Sequence, residues 1–156
     1  MAHIYLKEMT YEMYHMFFIE YVNDMDLYLD EKDFHEYVYT KERVDQYIQK
    51  QIEKKRIVLA IMYDDIIVGE IKIYDIKDNV SATLGITMIN DSYKGLGIGT
   101  KAELLAIDYV FYTLNIPVLY ADSIITNTRS QHVLEKVGFK CIGQDEIKKY
   151  YKIEKR

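Results

Sequence analysis

Between a stretch that reads as a strand and one that reads as a helix lies Ser92-Tyr93-Lys94-Gly95-Leu96-Gly97-Ile98-Gly99-Thr100-Lys101, with glycines at three alternate positions. This segment limits the fold most, because it demands a sharp strand-to-helix bend with little side-chain bulk. Small residues let a ligand approach the backbone closely, and the first N–H groups of the helix that follows lack partners within it. Together with the helix dipole, those donors make a seat suited to a diphosphate. The competing reading is a turn that only lets strand and helix pack tightly; Lys94 beside the glycines favours the ligand seat. Two better-known phosphate loops fail on spacing. A P-loop requires Gly-Lys-Ser/Thr, whereas Gly99 is followed by Thr100-Lys101 in the opposite order. The dinucleotide fingerprint requires G-x-G-x-x-G in a parallel βαβ unit near the start of a domain, and the spacing here is G-x-G-x-G.

Composition narrows the class. A chain of 156 residues suits one domain, residues 1–156, and 49% hydrophobic residues supply a core that a disordered chain lacks. The net charge of −5 argues against a protein that binds nucleic acid by neutralising phosphates. No apolar run reaches the roughly 18–20 residues of a membrane span. The start, Met1 to Glu8, has no basic segment leading into an apolar one, so no secretory signal is expected and the cytoplasm is the expected location. Cys141 is the single cysteine, which excludes an intrachain disulfide and a Cys-based zinc site; no metal is expected.

Periodicity places the elements. Ile4–Met9 reads as a strand. Thr10 caps a helix over Tyr11–Val22, with Met13, Met16, Phe17 and Ile19 at helical spacing. The acid-rich stretch from Glu20 to Glu36 reads as a loop with short helical turns. Thr40 caps a second helix, Lys41–Lys55, with the stripe Val44, Tyr47, Ile48 and Ile52. Strands Ile57–Met62 and Ile66–Tyr74 flank Tyr63-Asp64-Asp65 as a hairpin, and Val80–Ile89 continues the sheet. A helix over Thr100–Leu114 is stopped by Pro117, which opens the strand Val118–Ile125. Thr128 and Gln131 fit a capping box for a last helix with Val133, Leu134 and Val137 on its apolar edge. Gly138 ends that helix, and Phe139–Gln144 and Glu146–Ile153 close a final strand pair. The order β α α β β β α β α β β predicts an α/β (α+β) fold with a central mixed sheet covered by helices.

The segment Tyr93-Lys94-Gly95-Leu96-Gly97-Ile98-Gly99-Thr100-Lys101-Ala102 resembles the pyrophosphate-binding signature Q/R-x-x-G-x-G/A of the GCN5-related N-acetyltransferase (GNAT) superfamily, with Lys at its first position. Asn127-Thr128-Arg129-Ser130 followed by Leu134-Glu135-Lys136-Val137-Gly138-Phe139 is similar to the N-x-x-S … L-E-K-x-G-F ending of the ribosomal-protein alanine acetyltransferase branch. Val68-Gly69-Glu70-Ile71 resembles the strand that precedes the signature, and spermidine acetyltransferases are similar over the same region. The resemblance spans essentially the whole chain. It implies a mostly antiparallel sheet of six to seven strands, helices on both faces, a splay between the two central strands, and acetyl coenzyme A as co-substrate.

The resemblance also assigns residues. Lys94, Gly95, Leu96, Gly97, Ile98, Gly99 and Thr100 would hold the diphosphate. Ile86, Thr87 and Met88 would pair with the pantetheine amides as an added strand does, and Asn127 and Ser130 would touch the same arm. Capping of the last helix is the competing reading for Asn127 and Ser130. Acetyl transfer needs an amine with a free lone pair, a donor for the carbonyl oxygen and a proton for the leaving sulfur. A strand N–H near Met88 can serve the oxygen. Many members carry a Tyr acid where this chain has Leu134, and a strand carboxylate where it has Thr83 and Leu84. Ser130 is therefore the candidate acid and Glu70 the candidate base, directly or through water. The competing reading of Glu70 is a solvent-facing strand carboxylate, and His132 reads as a helix-surface residue.

Asp24, Asp26, Tyr28 and Asp30 lie in the acidic, aromatic stretch that the family uses as an acceptor wall. They would attract a cationic amine, either a small molecule or a peptide N-terminus, unless they simply form a solvated surface. Two other classes stay open: a catalytically weak acyl-CoA-binding or sensor module of the same fold, and an interaction domain without cofactor. Tyr150 and Tyr151 permit a homodimer.

Overall fold

The computed structural model describes residues 3–156. The elements follow as β1 (Ile4–Glu8), α1 (Tyr11–Glu20), two 3-10 turns (Met25–Leu27 and Glu31–Asp33), α2 (Lys41–Glu53), β2 (Ile57–Tyr63), β3 (Ile66–Lys77), β4 (Ser81–Met88), a 3-10 turn (Asp91–Tyr93), α3 (Ile98–Asp108) running on into a π-helical turn (Tyr109–Thr113), β5 (Val118–Ile124), α4 (Thr128–Lys136), β6 (Lys140–Gln144) and β7 (Lys148–Glu154). The strands form one seven-stranded sheet in the order β1-β2-β3-β4-β5-β7-β6. Every neighbouring pair is antiparallel except β4 and β5, which run parallel because α3 crosses between them. Among the described residues no helix is long and apolar enough to cross a membrane.

Both faces of the sheet are covered. On one, Leu59, Ile71, Ile73 and Leu84 pack with Ile98, Ala102 and Ala106 of α3 and Leu134 of α4. On the other, Val58, Ala60 and Met62 pack beneath Tyr14, Phe17 and Phe18 of α1 and Val44 of α2. The Thr10 and Thr40 hydroxyls cap α1 and α2, accepting from the N–H groups of Met13 and Arg43.

Three local expectations differ. In α1 the buried stripe is Tyr14, Phe17 and Phe18, while Met16 and Ile19 are about 60% exposed (61% and 59%). The helix is apolar on most sides, and the aromatic rings, which bury more area, decide which side faces in. In α2 Val44 is buried as expected, but Gln51 is buried in place of the expected Ile52, which is exposed; the Gln51 Oε1 meets its polar need by accepting from Arg56. The capping box at Thr128 does not form. Asn127 is the cap of α4, its Oδ1 accepting from Ser130 N at 3.1 Å. Gln131 turns instead to the last carbonyls of β5, donating to Ile124 O and Ile125 O at 3.1 and 2.9 Å.

Candidate active site

The splay follows from the register. β4 pairs with β3 as far as Met88, but with β5 only over Ser81–Leu84. β5 continues to Ile124 while keeping its other edge on β7. From Gly85 to Met88, β4 therefore presents one free row of backbone N–H and C=O groups, and unpaired edges of that kind recruit an extended ligand.

The free edge leads into the glycine turn. Gly95 and Gly97 have φ of +74° and +79°, in the left-handed region that suits glycine. A Cβ at either would meet nothing within 4 Å, so the backbone there lies open. Gly97 is the cap residue of α3 and supplies no side-chain bond. The first intrahelical bond of α3 runs from Lys101 N to Gly97 O, which leaves the N–H groups of Ile98, Gly99 and Thr100 without helical partners. These are the donors a diphosphate requires.

Turn and edge line a single cleft of about 410 Å3. Ile86, Thr87, Met88, Lys94, Gly95, Gly97, Gly99, Thr100, Asn127 and Ser130 all border it, and so do Asp24 and Asp26. The side chains of Leu96 and Ile98 do not: Leu96 points to solvent and Ile98 is 1% exposed in the core, so they can serve only through the main chain. Tyr28 and Asp30 lie outside the cleft. The Tyr28 hydroxyl accepts from Asn23, and Asp30 caps the second 3-10 turn.

Charge divides the cleft. Asp24 forms an ion pair with Lys94, which also meets Asp91 at 2.8 Å. Burial pulls the Lys94 ammonium down, but its bonds to Asp24 and Asp91 outweigh this and leave it above its ordinary value. Asp26 has no ion pair among the described residues. From the other wall, α4 contributes Arg129, His132, Val133 and Lys136. Sequence reasoning missed this basic stripe, although its i, i+3, i+4, i+7 spacing was available as a signal. His132 is exposed, as expected, and borders the cleft as well. Leu134 is 3% exposed in the core and does not border it.

Glu70 borders a second hollow, of about 300 Å3; Ile86 and Thr87 border both spaces. Glu70 stands opposite Thr87 in the β3–β4 register. The solvent-facing reading of this carboxylate is overturned, since Glu70 is 5% exposed under α2, where the Tyr47 hydroxyl donates to its Oε1 at 2.8 Å. Its Oε2 is buried without a partner. Burial pushes the Glu70 carboxyl above the usual carboxylate range, against the opposing pull of the Lys72 charge and the Tyr47 hydroxyl. Lys72 sits 5.0 Å from the centre of the Tyr47 ring, and burial draws its ammonium below its ordinary value.

A family model described as an acetyltransferase (GNAT) domain matches residues 3–140. Spermidine N(1)-acetyltransferase of Escherichia coli (strain K12) is 26% identical over 132 residues, which is 81% of this chain and 69% of that protein. Among solved structures, spermidine N-acetyltransferase from Vibrio cholerae, in complex with CoA and spermine, matches 97% of this chain and 95% of its own with a TM-score of 0.79 at 18% identity. The Campylobacter jejuni N-acetyltransferase PseH, in complex with acetyl coenzyme A, matches 99% of this chain and 100% of its own with a TM-score of 0.73 at 18% identity. At these identities the two structures are similar to this chain in fold.

Proposed function

The chain belongs to the GNAT acetyltransferase family and is an N-acetyltransferase; on that premise we propose that it moves an acetyl group from acetyl coenzyme A to the primary amine of a cationic acceptor, a small molecule or a peptide N-terminus. The observation that carries the reading is the free edge of β4 over Gly85–Met88, which leads directly into a helix start with unpartnered N–H groups. Acetyl coenzyme A supplies an activated thioester, and all other contributions come from the chain. The N–H groups of Ile98, Gly99 and Thr100 bind the diphosphate, assisted by the positive charges of Arg129 and Lys136. Main-chain groups of Ile86, Thr87 and Met88 hold the pantetheine arm, with Asn127 and Ser130 on the opposite wall. The N–H near Met88 faces the carbonyl oxygen as charge develops there.

The acceptor arrives protonated, because an alkyl ammonium has a pKa of about 10.4. Glu70 takes that proton through water, since it does not border the cleft itself, and its unpartnered Oε2 is the atom left to receive it. As the neutral amine attacks the thioester carbonyl and the C–S bond breaks, Ser130 donates its hydroxyl proton to the leaving sulfur and regains one, through water, from the nitrogen that has become the amide. Asp26, an exposed carboxylate of the cleft with no ion pair among the described residues, raises the local concentration of a cationic acceptor.

The test is thiol release from acetyl coenzyme A across a panel of spermidine, an aminoglycoside and a basic peptide, run beside thermal unfolding with coenzyme A. At about 100 times its Kd, a ligand that binds only the folded state adds roughly 2.7 kcal/mol. In a domain of this size that raises Tm by roughly 5–10 °C. Stabilisation together with amine-dependent thiol release supports the reading. Stabilisation with no release from any amine would mark a sensor module, and no stabilisation would mark a domain without the cofactor.

Asp26→Asn tests the acceptor half separately. We expect KM for a cationic amine to rise about three- to fivefold at low salt, as loss of a partly exposed charge contact of about 1 kcal/mol implies. The Kd for acetyl coenzyme A stays level or tightens slightly, since a negative charge leaves a cleft that receives phosphates. An unchanged KM across the panel would remove Asp26 from acceptor binding.

A further inference from the structure

One buried ionisable group in the cleft has no part in the mechanism above. Glu103 lies on α3, four residues beyond Gly99 and three beyond Thr100, and so faces the same way as the start of the helix. It is 3% exposed and borders the cleft just inside the glycine turn. Burial alone pushes its carboxyl up to about 8, with neither a hydrogen bond nor a neighbouring charge contributing. A carboxyl group with no partner, aimed into a space that takes a ligand, is free to bond with that ligand.

The surroundings determine which form of the acid binds. The strands packed against α3 put apolar side chains into the core beside it, Leu6 of β1, Ile71 of β3, and Ile86 and Met88 of β4, the last two bordering the cleft with Glu103. Glu8 of β1 lies away from the cleft, sharing a separate hollow with Tyr109 at the far end of the helix. The loop after α1 brings Asp24 and Asp26 to the cleft, and the turn brings Tyr93 and Lys94, the latter already paired with Asp24 and Asp91. From α4 come Arg129, His132 and Lys136. None of these shifts Glu103. An ionised carboxylate in this position would be unpaired in a buried site and would repel the diphosphate one helical turn away. A neutral acid avoids both costs and can donate to an amide carbonyl or a hydroxyl.

We propose that Glu103 is a positioning residue for the pantetheine arm that acts as an uncharged carboxylic acid, so that seating the cofactor and protonating this side chain are one coupled event. This rests on the cofactor reading given above. The proton comes from solvent, and the acid then donates it in a hydrogen bond without transferring it. Acetyl coenzyme A therefore binds tightly while Glu103 is protonated and loses affinity as the pH rises through the titration of the free protein.

The experiment is calorimetric titration of acetyl coenzyme A into the wild type and Glu103→Gln, at pH 8 in two buffers of different ionisation enthalpy, and then across pH 7–9. The wild type is expected to take up roughly half a proton per site at pH 8 and to lose roughly tenfold in affinity from pH 7 to 9, as the linkage relation gives for a group near 8 that binds only when protonated. Glu103→Gln, whose amide still donates, should keep its pH 7 affinity within about threefold and show neither the uptake nor the slope. Both proteins carry the same Asp24, Asp26, Lys94, Arg129, His132 and Lys136, so the difference between them reads Glu103. Glu103→Leu repeats the comparison should the amide variant fail to fold, and it is expected to lose the linkage and also affinity at pH 7. Equal proton uptake and equal slope in wild type and variants would overturn the proposal while leaving the cofactor reading intact. No heat with the wild type at any pH would overturn both.

Discussion

Glu70→Gln is expected to lower kcat by about 100-fold, the lower end of what a positioned general base contributes, while the Kd for acetyl coenzyme A stays within about twofold. Glu70 does not border the cleft itself; Ile86 and Thr87 line both the cleft and the hollow that Glu70 borders, so the proposed proton path runs past them. The pH profile gives the second readout. Burial holds the Glu70 carboxyl above its usual range, so a base at this position would be ionised only above that raised value, and kcat is expected to fall as the pH drops through it. The Tyr47 hydroxyl stabilises the ionised form; Tyr47→Phe should therefore move this acid limb to higher pH, and Glu70→Gln should abolish it. Stability separates catalysis from structure. With its folded pKa raised, Glu70 contributes stability while protonated and loses it as the pH rises through that value. Gln bears no such cost and still accepts from Tyr47, so the variant should unfold no earlier than the wild type at pH 8. A kcat within threefold of wild type, measured on a protein of unchanged Tm, would remove Glu70 from the proton path.

The residues differ in how plainly the sequence announces them. The glycine turn is legible because its requirement is local: Gly95 and Gly97 take positive φ within one turn, and no distant contact is needed to recognise them. The splay is a relation between β4 and β5, thirty residues apart, and it was legible only through the resemblance. The competing, solvent-facing reading of Glu70 fails for a definite reason. Alternation of Glu70 and Lys72 with Ile71 and Ile73 is the pattern of a half-exposed strand. Here the polar face is covered by α2, and Tyr47, counted as one member of an apolar stripe, is the residue that supplies the polar partner. Arg129, His132 and Lys136 repeat at helical spacing, but charges on a helix look solvent-facing until a facing wall is known. Glu103 carries no signal at all within Ala102-Glu103-Leu104, because its burial depends on the strands and helix that pack against α3, not on its neighbours in sequence.

Gly97→Val should weaken acetyl coenzyme A binding by 100-fold or more. Two effects add. At φ +79° a side chain strains the backbone by roughly 1–2 kcal/mol, and a β-branched one is the least tolerant. The strain is relieved by rotating the peptide groups that orient the N–H donors of Ile98, Gly99 and Thr100, the proposed seat of the diphosphate. Hydrogen bonds to a charged acceptor contribute about 1.5–3 kcal/mol each, so losing two costs about 3–6 kcal/mol, which is more than 100-fold in Kd. If the backbone holds its course instead, the new Cβ meets no protein atom within 4 Å and projects into the open space that the phosphates would occupy. Either route removes affinity, while folding loses only the backbone strain. Gly143→Ala is the matched control. That glycine lies in β6, away from the cleft, with nothing within 4 Å of an added Cβ and no positive φ, so both Kd and Tm should hold. Calorimetry and thermal unfolding on the three proteins decide the matter: binding by Gly97→Val within threefold of wild type would mean that the diphosphate does not sit on this turn, and the thioester would then have no route to the free edge of β4.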